Sequence, residues 1–247
     1  MTLTEFFAGH PSAALAFSGG ADSSYLLYTA RKSGADVTAY YVKTEFQPAF
    51  EQEDAGRLAR GLGVKLRVLE RSALSAGRVA ENPPDRCYFC KRAIFGEILS
   101  AAAADGYTLV LDGTNASDDA DDRPGMRALR ELHVLSPLRL CGLAKPEIRR
   151  LSREAGLFTW DKPAYACLAT RIPTGMAITA DALARVERAE NFLFGLGLSD
   201  LRVRVTADGC RLELPAEQMP EVLARREEIL SALAPLFGGV TLSLKAR

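Results

Sequence analysis

Apolar and polar positions along the chain fall into two successive patterns. In the first, short apolar runs alternate with amphipathic stretches. AALAF (13–17) reads as a strand and Ser23–Lys32 as a helix. VTAYYV (37–42) is a second strand, followed by a helix through 50–63 and a strand at VKLRVLE (64–70). A helix after Cys90 (93–104) leads to TLVLDGTN (108–115), a strand that runs out into turn residues. A further helix is predicted over 144–157, with Ile148, Leu151 and Ala155 on one face and Gly156 near its stop. Strands alternating with helices predict βαβ units and a parallel sheet.

After DKPAYACLATRIPTG (161–175) the pattern changes. Thr179 can cap a helix carrying Leu183, Val186, Leu193 and Leu196. LRVRV (201–205) and CRLEL (210–214) flank TADG and predict a hairpin. A helix over about 217–236 and a last strand VTLSL (240–244) complete a small unit. The predicted fold class is α/β, with a parallel-sheet domain at 1–175 and a small α+β domain at 176–247.

Composition narrows the function without choosing it. Lys and Arg total 31, as do Asp and Glu, so no net field favours a polyanion and no nucleic-acid partner is expected. No apolar run reaches about 18 residues, so no membrane partner is expected. The N-terminus lacks a basic start followed by an apolar core, which predicts a cytoplasmic protein. Five unevenly spread cysteines argue against a disulfide framework. In a reducing compartment, clustered cysteines point to metal or catalysis.

Parallel sheets bind ligands at the carboxyl ends of their strands, and SGGADSS (18–24) and DGTN (112–115) both fall there. Glycines let the backbone approach a ligand closely, while helix N-terminal amides present donors to an anion. Serine hydroxyls add further donors. The spacing fits neither G-x-x-x-x-G-K-[ST] nor G-x-G-x-x-G. By itself the stretch is either a phosphate cradle or a glycine turn capped by Ser18 or Asp22.

Cys87 and Cys90 form a Cys-x-x-Cys that leads into a helix, suited to zinc, to an iron–sulfur cluster or to dithiol chemistry. Cys141 and Cys210 read as buried inert thiols. Cys167 differs, because it lies in a loop-like segment between prolines, where chemistry tends to sit.

Ser18, Gly19, Gly20, Asp22 and Ser23 match the S-G-G-x-D-S pattern, and the stretch resembles the pyrophosphate loop of the ATP-pyrophosphatase superfamily. That resemblance implies ATP, with Mg²⁺, cleaved to AMP and pyrophosphate as a substrate oxygen is adenylated. NPPDRCYFCK, GTNASDDADDRPG, SPLRLCGLAKPEIRRLSREAGL and WDKPAYACLATRIPTG together resemble the LarE family of ATP-dependent sulfur transferases. The resemblance runs from about residue 14 into the C-terminal domain, with ACLATRIPTG its most specific part. It implies sulfur chemistry at Cys167, a [4Fe–4S] cluster on Cys87, Cys90 and Cys167, a pyridinium mononucleotide substrate and a homo-oligomer. A transfer RNA thiolase of the same superfamily and a non-catalytic nucleotide sensor are the rival readings.

The remaining candidates follow from position. Ser24 extends the loop, Lys43 ends the second strand, and Gly113, Thr114 and Asn115 are expected to shape the nucleotide pocket. Asp118, Asp121 and Arg123 match the family's acid-rich loop, whereas Ser117 and Asp122 depart from it; a solvated loop and a nucleotide- or Mg²⁺-facing one both stay open. Period-2 alternation puts Arg202 and Arg204 on one strand face. The family places a substrate-phosphate site at such a pair. Glu190 matches a family acidic position, either near a metal or as an ordinary exposed side chain.

Overall fold

A computed structural model describes residues 1–118, 124–163 and 165–247. In chain order it holds α1 (Leu3–Gly9), β1 (Ser12–Ala16), α2 (Ala21–Lys32), β2 (Asp36–Lys43), α3 (Ala49–Leu62), β3 (Lys65–Glu70), α4 (Arg86–Ala104) and β4 (Val110–Leu111). There follow α5 (Pro124–Glu131), α6 (Pro137–Leu140), α7 (Lys145–Glu154), α8 (Ala180–Gly195), β5 (Arg202–Thr206), β6 (Gly209–Glu213), α9 (Met219–Ala224), α10 (Arg226–Phe237) and β7 (Gly239–Leu242). The chain divides into two compact units: Met1–Ala76 with Asp85–Ala164, and Gly77–Pro84 with Tyr165–Arg247.

The first unit is built on a parallel sheet of order β3-β2-β1-β4, the α/β architecture that the alternating pattern predicts. Both faces are covered. Leu15, Leu26, Leu27, Leu58, Leu111 and Ile148 close one side, while Tyr40, Phe95, Ile98 and Leu129 close the other. This is why β1 and β2 read as continuous apolar runs rather than alternating ones. Since β2 and β3 lie to one side of β1 and β4 to the other, the strand order reverses between β1 and β4. An open sheet takes ligands at such a reversal.

In the second unit, α8 and α10 pack on a three-stranded sheet of order β5-β6-β7. Thr179 caps α8 as expected, its hydroxyl accepting from the Ala182 amide at 3.1 Å. The hairpin is present, with Arg204 opposite Arg211, but the helix expected over 217–236 is divided at Arg225. Residues 77–84 belong to this unit through Asn82, fully buried in a left-handed backbone conformation. Its carboxamide donates to the carbonyls of Ile172, Pro173 and Met176, and its own carbonyl accepts from the Gly175 amide. Among the described residues, no helix is long and apolar enough to cross a membrane.

Candidate active site

At the reversal point the two loops touch. Gly19 has φ +72°, which favours glycine, and a methyl group there would lie 3.2 Å from the Ala55 Cβ of α3. A methyl group on Gly113 would lie 3.0 Å from the amide nitrogen of Ser23. Both glycines are therefore required by close backbone approach, one to seat the loop on α3 and the other to let the β4 loop lie against the first turn of α2. Gly20 is the N-cap of α2 and brings no side-chain cap, so the first-turn amides stay available to an anion. The hydroxyls of Ser18 and Ser23 lie 3.1 Å apart, and that of Ser23 also donates to the Gly20 carbonyl. Ser24 is fully buried, and its hydroxyl finds no partner among the described residues.

The β4 loop is braced from beneath by Asp112, which the sequence reading passed over. Its carboxylate is buried and accepts from the Thr114 amide, the Thr114 hydroxyl and the Ser136 hydroxyl, the last at 2.6 Å. Asn115 closes the turn, its amide donating to Asp118 Oδ2 and its Oδ1 accepting from the Ser117 amide. Asp118 thus serves a local turn, while Asp121 and Arg123 lie outside the described residues. Lys43 donates to the Gln47 carbonyl at 2.7 Å and lines an open pocket of about 490 Å³ with Thr44, Glu45, Glu70, Arg71 and Ser72. A second missed residue is Lys145, whose Nζ donates to Asp22 Oδ2 at 2.7 Å.

Cys87 and Cys90 lie inside the first turns of α4 rather than ahead of a helix, the first exposed and the second half-buried. Cys210 is buried among the apolar residues of its unit, and burial pushes its thiol up to about 11. Cys141 is half-buried and packs against the core.

Cys167 is half-buried and heads a short helical turn, Leu168–Arg171. Its carbonyl accepts from the Thr170 amide (2.9 Å), the Thr170 hydroxyl (2.8 Å) and Arg171 Nη1 (3.1 Å). Arg171 is fully buried and also donates to the Ala166 carbonyl. Opposite it stands Glu190, buried rather than on an exposed helix face. Oε1 accepts from Arg171 Nε and the Val203 amide, and Oε2 from Arg171 Nη2 and the Tyr165 hydroxyl. Burial beside this carboxylate holds the Tyr165 phenol well above its usual range, so it stays a donor. With both oxygens occupied, Glu190 braces the cysteine loop.

Arg202 is buried, its guanidinium 4.9 Å from the Tyr165 ring, and desolvation and the nearby Arg171 bring it down to about 10. A cation so placed gains from an anionic ligand. Arg204 donates to Glu213 at 2.6 Å and to the Thr170 carbonyl at 2.7 Å, which fastens the cysteine turn to β5.

Accessible thiolates are the donor chemistry of an iron–sulfur site. Among the described residues, however, no group of three or more His, Cys, Asp or Glu side chains is gathered as a metal site requires. The donor set of Cys87, Cys90 and Cys167 suits a cluster.

A parallel sheet with a Ser-Gly-Gly-x-Asp-Ser cradle at its reversal point defines the ATP-pyrophosphatase, or pyrophosphate-loop, class. No protein-family profile matches the chain. It is 35% identical over 233 residues to the pyridinium-3,5-bisthiocarboxylic acid mononucleotide synthase of Lactiplantibacillus plantarum, covering 93% of this chain and 84% of that protein. An uncharacterised protein of Synechocystis is 37% identical over 89% of this chain and 82% of its own length. A tRNA-specific 2-thiouridylase of a Thermotoga species is 25% identical over 58% of this chain and 52% of that protein. The chain belongs to the family of pyridinium-3,5-bisthiocarboxylic acid mononucleotide synthases, the LarE family.

Proposed function

We propose that this protein is an ATP-dependent sulfur transferase that converts the carboxylates of pyridinium-3,5-biscarboxylic acid mononucleotide to thiocarboxylates. The likeness to the synthase over nearly the whole chain carries the reading, and the cradle at the strand reversal supports its first step. A substrate carboxylate oxygen attacks the α-phosphorus of ATP, and pyrophosphate leaves. The Gly19–Ser24 backbone and the Ser18 and Ser23 hydroxyls hold the departing anion. Asp22 faces the accompanying Mg²⁺, while Gly113, Thr114 and Asn115 bound the nucleotide and Lys43 a phosphate. Sulfide held near Cys167 then attacks the acyl-adenylate carbonyl, AMP leaves, and the sulfur stays on the substrate as a thiocarboxylate. Adenylation supplies the leaving group. The bracing of the Cys167 carbonyl supplies orientation, which in well-placed intramolecular reactions is worth up to about 7–11 kcal/mol.

Arg202 and Arg204 take the substrate phosphate, an anion that favours the charged form of the buried Arg202. Arg202→Ala is expected to weaken mononucleotide binding and spare ATP. Cys87 and Cys90 would join Cys167 as ligands of an iron–sulfur cluster, and the working protein is a homo-oligomer. The cluster is tested by anaerobic reconstitution with iron and sulfide: a charge-transfer band that each of the three Cys→Ala changes abolishes is expected, and none in the wild type would remove it.

The function itself is tested by pyrophosphate release. Release that depends on the mononucleotide is expected. Release stimulated by transfer RNA instead would mark a thiolase, and none with either acceptor would mark a sensor.

A further inference from the structure

A lone acid in a phosphate cradle repels the ligand unless something neutralises it. In the first turn of α2 that acid is Asp22, and its neutraliser comes from 123 residues downstream: Lys145 Nζ donates to Oδ2 at 2.7 Å. The other oxygen, Oδ1, is buried and finds no hydrogen-bond partner among the described residues. Lys145 opens α7, which packs along α2. Its amide donates to the Ser117 hydroxyl at 2.9 Å, and Ser117 in turn donates its amide to Asn115 at 2.7 Å. The Ala116 amide donates to the Leu143 carbonyl at 2.8 Å, two residues ahead of α7. The backbone of Lys145 is therefore fixed to the β4 loop while its ammonium rests on the β1 loop, the two loops that meet at the strand reversal.

We propose that Lys145 is a cation of the phosphate site, held on Asp22 in the absence of nucleotide and turned to a phosphate oxygen when ATP binds. The inference rests on the adenylating reading given above. A flexible four-carbon stem lets an ammonium swing between acceptors without backbone movement. Both side chains are partly open to solvent, at 30% and 22%, so the resting pair is worth little. A charge-assisted bond to phosphate replaces it at no net loss. Asp22 is then freed, with both oxygens, for the metal that accompanies the nucleotide.

Inorganic pyrophosphate is the probe, with binding to the full chain followed by calorimetry with and without Mg²⁺. Lys145→Met is expected to weaken metal-free pyrophosphate binding by about ten- to hundredfold, the worth of one hydrogen bond to a charged group. Lys145→Arg is expected to stay within a few-fold of wild type, and Lys145→Gln, a second uncharged variant, to match Lys145→Met. Adding Asp22→Asn to Lys145→Met is expected to regain much of the loss, because the unneutralised carboxylate goes with it. A purely structural lysine would not show that recovery. Unchanged binding in Lys145→Met, or a double variant no better than the single, would overturn the role of Lys145 while leaving the adenylating reading standing. Absence of pyrophosphate binding by the wild-type chain would overturn both.

Discussion

Removing one half of the Arg171–Glu190 pair should cost more than removing both. Both side chains are fully buried, and Glu190 accepts four donors: two nitrogens of Arg171 at 2.9 and 3.0 Å, the Val203 amide at 2.9 Å and the Tyr165 hydroxyl. Glu190→Ala strands a guanidinium in the interior, a change that typically costs about 3–5 kcal/mol. At about 2–4 °C per kcal/mol for a chain of this size, the full protein should melt roughly 6–20 °C lower. Arg171→Met with Glu190→Ala removes the stranded charge as well, so the double variant should melt at or above the Glu190→Ala single. The two changes separate stability from chemistry. Arg171 also holds the Ala166 and Cys167 carbonyls, so the double variant leaves the cysteine turn unpinned. Calorimetric melting gives the first quantity, and the rate of Cys167 alkylation, followed by peptide mass spectrometry, gives the second. A Glu190→Ala loss below about 1 kcal/mol, or a double variant losing the sum of the singles, would refute the bracing role.

Gly113→Ala pushes a methyl group to 3.0 Å from the Ser23 amide nitrogen. Overpacking of about 1–3 kcal/mol should appear as ATP affinity reduced about 5- to 150-fold, whereas Gly61→Ala, with open space around it, should leave affinity unchanged. Arg202 supplies a pH test. Its charged form is already disfavoured in the fold, so it loses its proton as pH rises through about 10. Binding of the mononucleotide favours the charged form and should therefore weaken over that range, a decline that calorimetry at stepped pH would show and that Arg202→Lys should shift. Mononucleotide binding unchanged in Arg202→Ala would exclude Arg202 from the phosphate site.

The cradle was legible in the sequence because its function lies in the backbone. Glycines at Gly19, Gly20 and Gly113 between strand and helix patterns announce a close approach, and the structure shows what each approaches. The ion pairs were not legible. Lys145 and Asp22 lie 123 residues apart, and no local pattern joins them. Glu190 did leave a signal: it falls four residues after Val186 and three before Leu193, on the apolar face of α8, where an acid needs a buried partner. Asp112 likewise ends an apolar strand and turns out to hold the loop after it. Residues 77–84 are joined to the second unit by the Asn82 side chain and by the Ala80 and Asn82 carbonyls, contacts with no periodic trace.

The proposed reaction calls on both the cradle and Cys167, and its product is the most direct witness. The reconstituted protein would be given ATP, Mg²⁺ and pyridinium-3,5-biscarboxylic acid mononucleotide under anaerobic conditions, with the nucleotide and the protein both followed by mass spectrometry. The account expects AMP and pyrophosphate to form together with a nucleotide heavier by an oxygen-to-sulfur exchange, and Cys167→Ala to stop the exchange while pyrophosphate release persists. Sulfur transfer undiminished in Cys167→Ala, or a nucleotide returned at its original mass after ATP has been consumed, would contradict it.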